Sequence, residues 1–247
     1  MNFSDLDLPY EVRQGIEFAG FTTCTPVQEQ VIPRAVRGED VAAQAQTGTG
    51  KTAAFLVSLF SRMVRNPTVD LGNCPQALII APTRELADQI FHEAERLGKF
   101  TGFRSLAVYG GIDYDKQRTA LAAGTDVLIG TPGRLIDYYK QRVYSLKKTR
   151  YIIIDEADRM FDMGFIDDLR YLLKKLPDYT RRQSMLFSAT LSYRVMELAY
   201  EHMNLPEKIS ITPEQVTVEK VEQTLYHVGK HEKMSLLLGL LNRERPA

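Results

Sequence analysis

The sequence is poor in cysteine and has no excess of either charge. Only two cysteines occur in 247 residues, Cys24 and Cys74, and no histidine stands at metal-ligand spacing from them. This argues against a structural zinc site and against a disulfide framework. Lysine plus arginine and aspartate plus glutamate number 31 each, so the net charge gives no chain-wide argument for a polyanionic partner. Any basic surface would have to be local.

Long hydrophobic runs are also missing. No apolar stretch approaches the roughly 20 residues that a bilayer-spanning helix needs. The acidic start "MNFSDLDLPYE" lacks the basic and apolar segments of a secretory signal. We therefore expect no membrane association and a reducing, cytoplasmic location. The apolar share of 44% and the charged share of 25% are those of an ordinary globular domain.

Short apolar runs alternate with segments of helical periodicity. The runs are nearly continuous in apolar character, which is typical of strands covered on both faces. They are Ala77–Ile80, Ser105–Tyr109, Asp126–Gly130, Tyr151–Asp155 and Ser184–Ser188. Between them, two helical stripes can be followed, one through Leu86, Ile90, Ala94 and Leu97 and one through Leu169, Leu172, Leu173 and Leu176. The alternation predicts an α/β fold, with a mostly parallel sheet and helices on both faces.

The stretch "AQTGTGKT" combines two glycines, a lysine and three threonines immediately before an amphipathic segment. Gly48 and Gly50 allow backbone N–H groups to point inward at phosphates. Lys51 could reach the outer phosphates, Thr52 could ligate Mg²⁺, and a helix from Lys51 to about Arg65 would add its positive end. The other loop residues expected to contact ATP are Gln46, Thr47 and Thr49. The usual pattern begins with glycine where this chain has alanine, and an ordinary turn before a helix is the alternative.

A second element, "IIIDEAD", is an apolar run that ends in acidic residues. Asp155 could hold Mg²⁺, partly through water, and Glu156 could orient or deprotonate an attacking water. Alone, the stretch could equally be a polar strand end at the surface. With the glycine-rich loop upstream, the two elements together favour a protein that binds a nucleoside triphosphate.

The residues Asp155 to Asp158 spell the motif that names the DEAD-box RNA helicases, and the chain resembles the first domain of that family. The other first-domain motifs follow in order: "GFTTCTPVQ", "GTGKT", "PTRELA", "GG", "TPGR" and "SAT". The resemblance covers almost the whole chain and implies a RecA-like P-loop NTPase fold that uses ATP and Mg²⁺. Within the family, "YGGIDYDKQ", "DEADRMFDMGF" and "LFSATLSYRVMELA" most resemble a bacterial type associated with RNA decay assemblies.

The resemblance also implies how the base is recognised. Gln28 corresponds to the family residue that reads the adenine edge, because a side-chain amide both donates and accepts hydrogen bonds. Phe21 would cover the ring with help from Thr25, and Phe3 stands where the family has an upstream aromatic residue. The alternative is a helix start, with Thr25 as cap and proline at the first helical position. Both can hold at once.

The remaining motifs imply RNA contacts and a link between the two sites. Hydroxyls, backbone N–H groups and arginines in three loops would contact RNA phosphates and sugars without reading bases. The residues are Thr83, Arg84, Gly111, Thr131 and Arg134. Ser188 and Thr190 would hydrogen-bond Asp158 and so join the nucleotide site to the RNA side. Solvated helix starts and a strand end are the simpler interpretations of these positions.

The domain organisation follows from a change near Pro206, where the chain becomes polar. We expect a RecA-like domain over residues 1–207, a linker over 208–221, and the first strand and helix of a second domain over 222–247. An apolar stripe in the last segment, Met234, Leu237, Leu238 and Leu241, predicts that this tail packs on an apolar surface of its own chain or of a neighbouring copy.

The resemblance implies that the intact protein unwinds short RNA duplexes with ATP, and the expected partners are RNA and, through other parts of the protein, the ribonuclease scaffold of an RNA decay complex. Alone, this segment is expected to be nearly inactive. Two other classes remain open, a DNA translocase of another P-loop family and a nucleotide-dependent binding module without catalysis. A comparison of stimulation by RNA and by DNA separates the first, and a multiple-turnover ATPase measurement separates the second.

Overall fold

The computed structural model describes residues 1–68, 71–211, 224–229 and 231–244. The chain divides into two compact units, Met1–Thr212 and Pro213–Ala247. The first unit holds the sheet and the sequence motifs, from the glycine-rich loop to "SAT".

The first unit is built on a seven-stranded sheet in which every neighbouring pair is parallel. The spatial order is β3-β4-β2-β5-β6-β1-β7. The strands are β1 (Val41–Gln44), β2 (Ala77–Ile80), β3 (Ser105–Val108), β4 (Val127–Gly130), β5 (Tyr151–Ile154), β6 (Gln183–Ser188) and β7 (Glu207–Ser210). The five predicted strands match β2 to β6 within one residue at either end.

Helices cover both faces of the sheet, as the alternation predicts. In β5, Ile153 packs in a core with α1 to α4, whereas Ile152 and Ile154 pack in a second core on the opposite face. The helices of the first unit are α1 (Tyr10–Phe18), α2 (Pro26–Arg37), α3 (Lys51–Arg65), α4 (Arg84–Leu97), α5 (Tyr114–Ala122), α6 (Pro132–Lys140), α7 (Ala157–Asp162), α8 (Ile166–Leu173) and α9 (Tyr193–His202). Both predicted leucine-rich stripes are buried. No helix in the described residues is long and apolar enough to cross a membrane.

The prediction of a linker over residues 208–221 is wrong for its first residues. Residues Glu207–Ser210 form β7, which pairs with β1 at the edge of the sheet. Only Ile209 of this strand is buried, so its alternation is too polar to stand out in sequence. Residues 212–223 lie outside the described residues.

The second unit contains one helix in its described part, α10 (Lys233–Glu244). The strand expected at the start of a second domain is not found over residues 224–229, which have no regular secondary structure, and residues 222 and 223 are not described. A strand requires a partner strand for its backbone hydrogen bonds. The described part of this unit offers none.

We predict that α10 associates through its apolar stripe. The side chains of Met234, Leu237, Leu238 and Leu241 are all more than 45% exposed. Four such side chains on one helix form a patch of the kind that marks interaction sites. Substituting Leu237 and Leu238 by serine should therefore lower any self-association seen by light scattering. A strict monomer whose tail is rapidly removed by protease would contradict the prediction.

Candidate active site

The glycine-rich loop and the acidic residues after β5 lie at the carboxyl ends of the strands. The loop, residues 45–50, follows β1, Asp155 and Glu156 follow β5, and Ser188 ends β6. Since β6 lies between β5 and β1, the three segments emerge side by side. Ligands of open parallel sheets bind beyond this carboxyl edge.

The loop leaves β1 and turns directly into α3. Gly48 and Gly50 have φ values of +83° and +87°, a region that side-chain-bearing residues rarely adopt. A Cβ on Gly50 would lie 2.5 Å from Nε2 of Gln28, so this position also lacks space for a side chain. Thr49 Oγ1 donates to the carbonyl of Gln46 at 2.7 Å. Ala45, which replaces the usual first glycine, is buried, and its N–H donates to the carbonyl of Ser188.

Lys51 is the centre of a buried charged cluster. Its Nζ lies 3.1 Å from Oδ1 of Asp155 and 3.6 Å from Oε1 of Glu156. All three residues are at most 5% exposed. Burial raises the pKa of the Asp155 carboxyl, and the neighbouring Lys51 ammonium opposes that rise. The guanidinium of Arg159 pairs with the other carboxylate oxygen of Glu156, so Asp155 is the carboxylate of the cluster that could take another cation.

Asp155 has the features of a ligand for such a cation. Its Oδ1 accepts the N–H of Glu156 at 2.9 Å, whereas Oδ2 is buried without a hydrogen-bond partner among the described residues. A buried carboxylate oxygen without a partner is costly, and a hard cation with oxygen ligands would remove that cost. Thr52, at the start of α3, is partly exposed. The carboxylate and hydroxyl oxygens of Asp155 and Thr52 are therefore suited to Mg²⁺.

Glu156 is held in a strained conformation. Its φ and ψ are both +51°, in the left-handed region, which costs a residue with a side chain about 1–3 kcal/mol. Oε1 accepts a hydrogen bond from Thr47 Oγ1 at 3.3 Å, and Oε2 accepts one from Arg159 Nη1 at 2.8 Å. The carboxylate is thereby fixed between the glycine-rich loop and α7. Sequence analysis missed Arg159, although its spacing of three residues on a helix start is a recognisable signal.

Asp158 connects the acidic strand end to the end of β6. Its N–H donates to Ser188 Oγ at 3.2 Å, and its Oδ2 accepts both the N–H of Thr190 at 3.0 Å and the Thr190 hydroxyl at 3.3 Å. The structure therefore brings together all three residues of the expected link. Ser188 makes its hydrogen bond with the Asp158 backbone, whereas Thr190 makes both of its hydrogen bonds with the Asp158 carboxylate.

Gln28 is both a helix cap and a neighbour of the glycine-rich loop. Its Oε1 accepts the N–H of Thr25 at 2.8 Å, immediately before α2, and its Nε2 donates to the carbonyl of Gly50 at 3.0 Å. Thr25 Oγ1 is buried without a partner among the described residues. The helix therefore begins where the cap interpretation places it, with Thr25 before it and proline at its first position, but the capping hydrogen bond comes from Gln28 and not from the Thr25 hydroxyl. Reading a base would require the amide of Gln28 to exchange at least one of these hydrogen bonds.

The two expected aromatic residues pack on each other. The rings of Phe3 and Phe21 are stacked with centroids 6.1 Å apart. Phe3 is 3% exposed and belongs to the core, whereas Phe21 is half-buried. Phe21 therefore has the more accessible ring, and Phe3 would have to move in order to cover a base.

We predict that Gln28→Ala narrows the preference for adenine over guanine nucleotides. The amide presents one donor and one acceptor, which match the adenine edge, whereas guanine leaves one of them mismatched. A buried mismatch costs about 1–3 kcal/mol. Calorimetry with ADP and GDP measures the gap, and Gln14→Ala on the exposed part of α1 is a control. Equal affinity of the unsubstituted protein for both bases would remove Gln28 from this role.

The residues expected to contact RNA also lie at the carboxyl ends of the strands, after β2, β3 and β4, on the side of β5 away from the glycine-rich loop. Thr83 and Arg84 follow β2, Gly111 follows β3, and Thr131 and Arg134 follow β4, and these three strands are adjacent. Thr83 caps α4, where its Oγ1 accepts the N–H of Leu86 at 3.2 Å. A Cβ on Gly111 would lie 3.0 Å from Nη1 of Arg84, which shows that two of the loops are close together.

Arg84 and Arg134 differ in how far neighbouring side chains hold their guanidinium groups. Arg84 is exposed and pairs with Glu85 at 2.6 Å, so its guanidinium could exchange that contact for a phosphate. Arg134 lies over the ring of Tyr114 at 4.8 Å and donates to the hydroxyl of Tyr138 at 3.1 Å. Sequence analysis missed these two tyrosines. The spacing of four residues from Arg134 to Tyr138 on α6 was the available signal.

Together, these features define a class. A parallel sheet whose strand leads through a glycine-rich loop and a lysine into a helix, opposite an acidic strand end, is a P-loop NTPase domain. A model of the DEAD/DEAH box helicase family matches residues 25–199. The chain belongs to the DEAD-box helicase family and has its RecA-like fold.

The chain is similar along its whole length to bacterial proteins named ATP-dependent RNA helicase RhlB. It is 53% identical to that of Xanthomonas oryzae pv. oryzae, with 100% of this chain and 44% of the relative covered. It is 52% identical to that of Idiomarina loihiensis and 49% identical to that of Vibrio cholerae, with 99% of this chain covered in both. These alignments cover 58% and 56% of the two relatives. The expected bacterial type is thus confirmed, and the chain spans about half the length of these relatives.

Proposed function

We propose that this chain is the ATP-binding half of an ATP-dependent RNA helicase. The main support for the proposal is that the phosphate-binding cluster is linked to the end of β6 at the carboxyl ends of the strands. The link runs from Lys51 to Asp155 and Glu156, along the chain to Asp158, and from Asp158 to Thr190. The last contact joins the acidic strand end to the end of β6, and such a link suits a site that couples nucleotide to RNA.

In this proposal the buried cluster binds and hydrolyses ATP. The N–H groups of residues 46–50 and the Lys51 ammonium hold the phosphates, while Gln28 and Phe21 contact the base. Asp155 and Thr52 would hold Mg²⁺, which supplies charge neutralisation on the phosphates when it is bound. Glu156 orients the attacking water and accepts its proton, because Thr47 and Arg159 fix its carboxylate beside the loop.

RNA would lie across the neighbouring half of the edge. Hydroxyls, backbone N–H groups and guanidiniums recognise phosphates and sugars rather than bases. Thr83, Arg84, Gly111, Thr131 and Arg134 supply such groups from three adjacent strand ends. Their number is modest, which agrees with the absence of a net positive charge on the chain.

We predict that Thr190→Val separates ATP hydrolysis from unwinding in the full-length protein. Valine keeps the shape of threonine but cannot donate to Asp158 Oδ2. The backbone N–H of residue 190 would still do so. We expect RNA-stimulated ATPase within about threefold of the unsubstituted protein and unwinding at least tenfold slower. Thr180→Val in the short turn before β6 is a matched control. Parallel losses of both activities would contradict the coupling role.

The choice of nucleic acid tests the proposal against another P-loop motor. The ATPase rate of the full-length protein should rise strongly with single-stranded RNA and much less with DNA of the same sequence. Equal stimulation by both would favour a DNA translocase. Lack of turnover with either would favour a binding module.

The cellular role extends the proposal further. The resemblance to the RhlB type supports a role in bacterial RNA decay, with a ribonuclease scaffold as partner through regions other than this domain. ATP and RNA are both cytoplasmic in bacteria, and we propose that compartment. Copurification of full-length protein with a ribonuclease from its own cells tests the partner, and its absence after mild crosslinking would contradict it.

A further inference from the structure

A cavity of about 510 Å³ lies at the amino ends of the strands, whereas the proposed ATP site lies at their carboxyl ends. Its wall includes Asp40, Arg150 and Arg182, which directly precede β1, β5 and β6, and Leu205, shortly before β7. In a parallel sheet the amino ends of the strands share one edge. None of the residues assigned to ATP or RNA lines this cavity.

The wall of the cavity is strongly basic in a chain without net charge. Of the residues that the structure describes, two acids, Glu39 and Asp40, and five arginines line the cavity, which is an excess of three positive charges. The arginines are Arg37, Arg62, Arg150, Arg181 and Arg182. Both acids are already engaged. Glu39 pairs with Arg37 at 2.8 Å, and the two carboxylate oxygens of Asp40 accept the backbone N–H groups of Ser184 and Asn204 at 2.8 Å each.

Arg182 adds a buried cation to the wall of the cavity. It is 8% exposed, and its Nη2 donates to the carbonyl of His202 at 2.9 Å. Its Nε and Nη1 have no hydrogen-bond partner among the described residues. Burial lowers its pKa to about 10, with Asp40 and Asp178 opposing, so the side chain stays charged at neutral pH. Arg62 Nε is also buried without a partner in the described residues.

Arg182 carries a buried charge with two nitrogens that lack a partner among the described residues, which is costly, and the negative charge of an anion in the cavity would offset part of that cost. We propose that this cavity binds a small oligophosphate anion, such as inorganic tripolyphosphate or the phosphate chain of a free nucleotide. Guanidinium groups match phosphate oxygens in geometry and charge. The excess of three positive charges suits a short chain of phosphates.

The cavity is a poorer match for an RNA strand. Single-stranded nucleic acid is bound by exposed aromatic rings that stack on bases, together with basic groups. Among the described residues of the wall, the one aromatic side chain is that of Tyr151, which is 2% exposed. The wall therefore offers phosphate contacts without a stacking surface.

The proposal is tested by counting sites. Calorimetric titration of residues 1–247 with tripolyphosphate should show two sites, one at the glycine-rich loop and one in the cavity. Arg150→Gln combined with Arg62→Gln should weaken the second site at least tenfold, while binding of a fluorescent ADP analogue at the loop stays unchanged. Arg118→Gln, on the exposed face of α5, is the control and should leave both sites intact. A parallel titration with ADP in place of tripolyphosphate distinguishes a nucleotide from an inorganic ligand.

A second measurement does not depend on the double variant folding well. Tripolyphosphate should raise the thermal midpoint of the unsubstituted chain more than that of Arg182→Met, which removes the buried charge and keeps an unbranched side chain. One tripolyphosphate site only, or a second site insensitive to Arg62, Arg150 and Arg182, would overturn the proposal. Binding of oligouridylate through these arginines without binding of tripolyphosphate would assign the cavity to RNA and would also overturn it.

Discussion

Glu156→Gln in the full-length protein is expected to lower RNA-stimulated ATP turnover by about 10²–10⁴, the usual contribution of a positioned general base. The substitution keeps the size of the side chain and its contact with Thr47 and removes the group that accepts a proton. Binding of ATP should survive, because Lys51 and the loop are untouched. Steady-state ATPase rates and equilibrium binding of a fluorescent nucleotide measure the two effects separately.

The matched control is Glu197→Gln, which makes the same chemical change on the exposed side of α9. It should leave turnover unchanged. Lys51→Ala should abolish turnover as well, but together with loss of nucleotide affinity, because Nζ is the one cation of the buried cluster aimed at both carboxylates. Turnover by Glu156→Gln within about threefold of the unsubstituted protein would exclude Glu156 as the base.

A second large difference is expected between the ATPase rates of residues 1–247 alone and of the full-length protein. We expect this segment to bind adenine nucleotide but to hydrolyse it at least about 10³-fold more slowly than the full-length protein with RNA. An arginine supplied from outside the phosphate loop accelerates phosphoryl transfer by about 10³–10⁵ where it has been tested. The family resemblance places that arginine in a second domain, and this chain spans 44–58% of its relatives.

Comparison of the two proteins under identical conditions measures this difference, with and without single-stranded RNA. The segment should show little RNA stimulation, because RNA would meet only half of its binding surface. Strong RNA-stimulated ATPase from the segment, lost in its own Glu156→Gln variant, would show that the arginine is not needed.

Much of the fold was predictable because the buried strands have a simple signature. The runs "ALII", "VLIG" and "YIII" form strands covered on both faces, and their composition of branched apolar residues is sufficient to identify them. β1, "VAAQ", was missed although it leads into the glycine-rich loop. Alanine is depleted in strands, and only the pairing with β6 and β7 makes this segment one.

The charged residues at the centre of the candidate site could be predicted from the sequence, but their partners and contacts could not. The motifs placed Lys51, Asp155 and Glu156 at one edge, where the structure brings them together. The hydrogen bonds of Gln28 to Gly50 and the stacking of Arg134 on Tyr114 depend on how separate elements pack. No local pattern in the sequence encodes such distances.

The basic cavity shows the same limit more strongly. Its arginines come from α2, α3 and the segments before β5 and β6, and each is unremarkable in its own stretch of sequence. The charge balance of the whole chain conceals their concentration at one place. Only the strand order of the sheet brings them to a common edge.

A strand-separation assay with the full-length protein tests the proposed helicase activity most directly. A short RNA duplex with a single-stranded extension should be separated in the presence of ATP, and should remain paired with GTP or without nucleotide. The Glu156→Gln protein should fail under the same conditions, and a DNA duplex of the same sequence should stay paired. Separation that is independent of ATP, or equally fast for the DNA duplex, would contradict an ATP-dependent RNA helicase.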